Sequence, residues 1–167
     1  MSLRMAVPIL LLVGQAFSPA GLPRFAASLA GESASPTGDP DFTGAWKLKQ
    51  ERRESGTIPA PAATMKIERQ KDVFGVMETQ AGGMRVAWFV GIGKELRTTS
   101  GGMVMRSIGK WEADALLINT VVNGPKGDYA VMDRWDLSRD GATLTIRREV
   151  VRRTGGAESV LTYGKEK

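Results

Sequence analysis

From Asp41 to Tyr163 the apolar side chains return at every second position between breaks that carry glycine, aspartate or proline. No stretch sustains the 3.6-residue period of an amphipathic helix. Successive side chains of a strand point to opposite faces, so this pattern buries one face of a sheet and wets the other. Trp46 and Leu48 alternate with Lys47 and Lys49. Met65, Ile67 and Arg69 alternate with Lys66, Glu68 and Gln70, the pair Lys71-Asp72 turns the chain, and Val73 to Thr79 returns. Gly82-Gly83 precedes Met84 to Val90, and Gly101-Gly102 precedes Met103 to Trp111. Trp111 to Ile118 and Trp135 to Ile146 echo each other, each placing a tryptophan before an acidic residue, a turn with aspartate, and a Leu-x-Ile restart. In such hairpins the indole covers the Leu or Ile across the ladder. Ser159 to Tyr163 reads as a last strand. Many short antiparallel strands leave aggregation-prone edges unless the sheet closes on itself, so an all-β closed barrel is expected.

What precedes the alternation reads differently. Arg4 followed by the apolar run Ala6 to Val13 has the order of a secretory signal, with cleavage expected after Ala16. That run is too short to span a bilayer, so no integral span is expected after cleavage. Residues 1–30 are read as signal peptide and leader, 31–40 as a flexible linker without large apolar residues, and 41–167 as one domain. Export to the periplasm or the medium is the expected location.

Two missing residue types narrow the chemistry. The 167 residues contain neither cysteine nor histidine. Disulfides, thiolate metal sites and a lipidated cysteine are therefore excluded, as are Ser-His-Asp triads and imidazole-ligated zinc or haem. No metal and no cofactor is expected. Lys plus Arg number 23 against 18 Asp plus Glu; setting aside Arg4 and Arg24 leaves 21 against 18. That surplus is spread over many strands and lacks the single basic face of a nucleic-acid binder, so no nucleic acid is expected as a partner.

The Asp140-Gly141 turn allows a register to be counted. Leu137 then meets Leu144, Trp135 meets Ile146, and Asp133 meets Arg148, all on the face shared by Val131 and Val150. An inward acid opposite an inward base has two readings. One is a structural ion pair, near zero in net worth but costly to break on one side. The other is a pair that lines a cavity and orients a polar group of a ligand. The four tryptophans divide likewise between core and cavity wall, with Trp46, Trp88 and Trp135 taken here as interior candidates alongside Asp133 and Arg148.

Gly44-Ala45-Trp46 resembles the Gly-x-Trp motif that opens the first strand of lipocalins. Gly127-Asp128-Tyr129 resembles their Thr-Asp-Tyr motif with Gly in place of Thr, and Arg147 or Arg148 stands where the family carries a late arginine across the motif tryptophan. The chain is also similar to small secreted bacterial lipocalin-like domains, in Gly-x-Trp-x-Leu, Lys-Trp-Glu and Leu-Ser-x-Asp-Gly-x-x-Leu-Thr segments covering most of residues 41–147. The family's disulfide is absent, and a strand replaces its C-terminal helix. The resemblance implies a single antiparallel barrel of eight to ten strands in an up-and-down meander, open at one end and suited to small apolar molecules, with Trp46 plugging the closed end.

The leading expectation is an exported, non-enzymatic barrel that binds or carries a small, largely apolar ligand. The alternative is a filled barrel acting as a protein-interaction module or inhibitor through the loop Ser55 to Ala63 and the segment Gly91 to Gly102, its partner unknown. An acid-base enzyme built on Glu112 and Asp114 ranks behind both, because hairpin turns commonly carry such residues as solvated turn formers.

Overall fold

Period-two alternation resolves into ten strands in the computed structural model, which describes residues 38–57 and 59–167. The leader, the cleavage site after Ala16 and most of the linker lie outside the described residues. The strands are β1 (Gly44–Ser55), β2 (Thr64–Gln70), β3 (Val73–Thr79), β4 (Arg85–Ile92), β5 (Leu96–Ser100), β6 (Met103–Glu112), β7 (Ala115–Asn123), β8 (Tyr129–Leu137), β9 (Thr143–Arg152) and β10 (Gly155–Lys165). Their order in the sheet, β4-β3-β2-β1-β10-β9-β8-β7-β6-β5, is a meander in which the first strand pairs with the last. Among the described residues no helix is long and apolar enough to cross a membrane.

The meander closes where β4 meets β6. Gly91 pairs with Ile108 and Ile92 with Gly109, in parallel, which is the one departure from the antiparallel arrangement. Nine strands thus form the closed barrel, and β5 pairs along β6 as an additional strand. A glycine makes the seam possible, since a Cβ at Gly109 would lie 2.8 Å from Val90 Cγ1. Beside the seam β5 offers β4 side-chain oxygens: the Ala87 N–H donates to Ser100 Oγ at 3.1 Å and the Phe89 N–H to Thr98 Oγ1 at 3.2 Å. The segment 91–102, read from sequence as a contact edge, therefore carries a strand.

The counted register is the one observed. Leu137 pairs with Leu144, Trp135 with Ile146 and Asp133 with Arg148. The Asp140 carboxylate holds the turn by accepting from the Ala142 N–H at 3.0 Å and the Ser138 hydroxyl at 2.6 Å. Tight turns at Lys71 and Ala113 use positive φ, 55° and 51°, at non-glycine residues.

Aromatic rings pack the closed end. Phe42 stacks on Trp111 with centroids 6.0 Å apart and meets Trp135 edge-on at 5.8 Å, while Phe74 meets both Phe42 and Trp111 edge-on. Trp46 is wholly buried and donates its indole N–H to the Phe42 carbonyl at 2.8 Å. The cation over its ring is Lys165, 5.3 Å from the centroid. This corrects the expectation drawn from the late arginines: Arg147 points outward to Asp136 and Arg148 points inward to Asp133, because β9 alternates and neither position reaches the level of Trp46. Arg69 finishes this end, lying over Phe74 and Trp111 and pairing with Asp39 at 2.7 Å.

Candidate functional site

Apolar packing gives way to ionisable groups along the inward faces of the strands. On β3 the inward series runs Phe74, Val76, Glu78; on β9 it runs Leu144, Ile146, Arg148; on β8 it runs back from Trp135 to Asp133. All three changes fall above the aromatic floor. Arg148 donates from Nε to Asp133 Oδ1 and from Nη2 to Asp133 Oδ2, each at 2.8 Å, the parallel fork geometry that makes guanidinium–carboxylate pairs strong. The same Nη2 stands 4.0 Å from Glu78 Oε1. Because β2, β1 and β10 separate β3 from β9 in the sheet, this last contact spans the lumen.

Two indoles support the carboxylates. Trp135 Nε1 lies 3.4 Å from Asp133 Oδ2, and the Trp88 indole lies beside Glu78, where it favours the ionised carboxylate. The rings themselves meet edge-on with centroids 6.3 Å apart. The result is a chain across the barrel: Trp88, Glu78, Arg148, Asp133, Trp135. It joins four of the five interior candidates named from sequence, Trp88, Trp135, Asp133 and Arg148. Trp46, the fifth, sits apart at the closed end with Phe42 and Lys165.

Burial decides how the charges behave. The Asp133, Glu78 and Arg148 side chains are only 3%, 14% and 17% exposed. Burial opposes the Arg148 charge, yet the charge and hydrogen bonds of Asp133 and the charge of Glu78 outweigh it, so the guanidinium is held above its ordinary pKa. Burial pushes the Glu78 carboxyl up; Asp133 adds to that, while Arg148 and the Trp88 indole act against it. Burial likewise raises Tyr163, whose hydroxyl donates to the Ala62 carbonyl at 3.0 Å and ties down the loop that follows β1.

Above this chain burial is uneven. Val150 and Ala157 are buried and pack against Tyr129 and Val131 on β8, which together with Met103 on β6 are only half-buried, in contrast with the sealed rings below. Ser107 and Thr120 bond hydroxyl to hydroxyl at 2.8 Å inside the wall. In β1 a bulge between Leu48 and Gln50 shifts the register, bringing Glu51 opposite Leu161 and Arg53 opposite Ser159. These two pair with each other at 2.8 Å at the rim.

Sequence reasoning missed Glu78, Ser159, Glu51 and Arg53. Glu78 was available, being in phase with Phe74 and Val76. Glu51 and Arg53 were hidden by the bulge, which inverts the inward phase that Trp46 and Leu48 establish. Among the described residues no group of acids is arranged to hold a metal ion. Glu112, weighed as a catalytic acid, bonds to Arg134 on the outer wall.

No protein-family model matches the sequence, and no curated protein matches it. Solved structures do. A secretory abundant heat soluble protein from Ramazzottius varieornatus is similar at 12% identity and TM-score 0.55, over 80% of this chain and 100% of that one. Secretory abundant heat soluble protein 4 from the same organism is similar at 16% identity and TM-score 0.53, over the same shares. Zebrafish ileal bile acid-binding protein complexed with cholic acid is similar at 20% identity and TM-score 0.51, over 75% of this chain and 98% of that one. At these identities the likeness establishes the fold, a lipocalin-like β-barrel.

Proposed function

We propose that this chain is an exported carrier that holds a small, largely apolar molecule in the upper half of its barrel. One observation carries the reading: the rings of the closed end exclude solvent, whereas Tyr129, Val131 and Met103, on inward faces toward the other end, remain half-buried. A barrel of this strand number has an interior that side chains fill or that one small ligand occupies. The bile acid-binding neighbour supports the second outcome for this fold. Asp133 and Arg148 form the polar floor of the compartment, with Trp88 and Trp135 beneath. No catalytic step, metal or cofactor belongs to this reading.

Titration of the protein with a panel of aliphatic and aromatic ligands is expected to change tryptophan emission, since Trp88 and Trp135 lie directly under the compartment. Emission unmoved by every member of the panel rejects the carrier. Export rests on the leader alone, and protein recovered from the periplasm or medium is expected to begin at residue 17. A second reading, an interaction module, is favoured by Met77 and Phe89, both exposed on the outer face of the β3–β4 hairpin. Such a module leaves the titration silent.

A further inference from the structure

The charges of the buried cross-barrel chain do not balance, and the imbalance indicates what the ligand carries. Arg148 is the one cation of the cross-barrel chain, and Asp133 occupies it with both oxygens at 2.8 Å. Glu78 stands at 4.0 Å, outside hydrogen-bond reach of that guanidinium. At the rim Glu51 and Arg53 pair with each other, and Arg152 lies over the Tyr129 ring. Within the buried cross-barrel chain itself, one carboxylate is left over. A second observation lies beside it: Ser159, 2% exposed, shares the inward face with Arg148 in register, and its Oγ has no hydrogen-bond partner. Buried hydroxyls are almost always bonded, so an orphan on the lumen wall marks a place where a partner belongs.

We propose that the upper lumen recognises an apolar molecule bearing a protonated amine, with the Glu78 carboxylate as counter-ion and the Ser159 hydroxyl as a further hydrogen-bond partner. The inference rests on the carrier reading and names the ligand class for that site. An ammonium placed against Glu78 gives two acids and two cations in one buried cluster. Such pairing is the condition under which buried charge is tolerated. A carboxylate ligand instead adds a third negative charge to a cluster whose single guanidinium is already held bidentately, and like-charge juxtaposition is strongly disfavoured. Burial holds Glu78 toward its neutral form, so an arriving cation also supplies the charge that keeps it ionised. The outer surface argues the opposite preference, because the chain as a whole carries +5 and attracts anions without specificity. A preference for amines is thus a property of the interior.

The test uses three probes with the same tail, dodecylamine, dodecanoate and dodecanol, titrated calorimetrically into the full chain at pH 7.5 below their aggregation limits. The amine is expected to bind on the order of tenfold or more tighter than the carboxylate, with the alcohol between them. In Glu78→Gln the amine is expected to fall to the affinity that the same variant shows for the alcohol, with near-ultraviolet dichroism reporting an intact barrel. Equal affinities, a tighter carboxylate, or an amine preference that survives Glu78→Gln each overturn the inference. Absence of binding by all three probes overturns the carrier reading itself, so the two failures are distinguishable. If Glu78→Gln loses its near-ultraviolet dichroism, the wild-type ranking of the three head groups decides.

Discussion

Asp133 and Glu78 are both buried carboxylates, each with an indole beside it, yet they sit in different electrostatic positions. Asp133 meets Arg148 through two short hydrogen bonds, whereas Glu78 has only the Coulombic reach of a guanidinium 4.0 Å away. Desolvation therefore prevails at Glu78 and raises its pKa above the ordinary 4.5. Arg148 from β9 and the Trp88 indole from β4 oppose the rise, while Asp133 from β8 adds to it. A raised folded-state value means that the native chain binds this proton more tightly than the unfolded chain. Its contribution to stability is whole below about pH 4.5 and is lost as pH rises through the folded value, each unit of separation being worth about 1.4 kcal/mol. Gln at this position imitates the protonated acid at every pH. Urea unfolding of both proteins from pH 4 to 8 is expected to show Glu78→Gln gaining on the wild type as pH rises. A constant difference across that range contradicts the account. Carboxyls held low at Asp41 and Asp140 tilt both profiles alike and cancel in the comparison.

At the scale of the element, register was legible wherever a tight turn met a clean alternation. Asp140-Gly141 sufficed to pair Asp133 with Arg148, because a two-residue offset leaves every side chain on its own face. The phase broke at the β1 bulge, which local sequence does not announce, and with it went Glu51 and Arg53. The closing seam was illegible for a different reason: it depends on two strands that are not neighbours in sequence approaching each other, and only the glycine in each paired contact, Gly91 and Gly109, records the event. Gly109 is the one that faces the core. A methyl group there would stand 2.8 Å from Val90 Cγ1 and 3.0 Å from Ile92 Cδ1, so the β4–β6 pairing must yield or the core must shift. Gly109→Ala is expected to cost about 1–3 kcal/mol, the usual penalty of overpacking. Amide exchange should quicken first at Gly93, whose N–H donates to the Gly109 carbonyl at 2.9 Å. A variant as stable as the wild type, with unchanged exchange at that amide, removes the seam from the closure of the barrel.

For the domain as a whole, closure places its two ends side by side. Trp46 pairs with Lys165, the Glu166 N–H donates to the Ala45 carbonyl at 2.8 Å, and Lys165 covers the Trp46 ring. The β1–β10 ladder joins residues about as distant in sequence as the domain permits, yet the barrel needs it as much as any hairpin. If closure rather than chain order specifies the fold, connecting the ends and cutting elsewhere preserves it. Domains whose termini lie together and whose exposed turns are polar tolerate this rearrangement. The turn between β7 and β8 offers the cut, since Lys126 and Gly127 are exposed and a Cβ at Gly127 would meet nothing. A permutant that joins Lys167 to Asp39 through a short Gly-Ser linker and begins at Gly127 is expected to unfold cooperatively. Its tryptophan near-ultraviolet spectrum should match that of the parent, because Phe42, Trp111 and Trp135 keep their ring contacts whichever strand comes first. Cutting instead between Gly91 and Ile92 severs β4 at its pairing with β6, and that permutant is expected to lose cooperativity. Equal behaviour of the two permutants would mean that the β4–β6 seam contributes nothing and that the nine strands hold together as an open sheet.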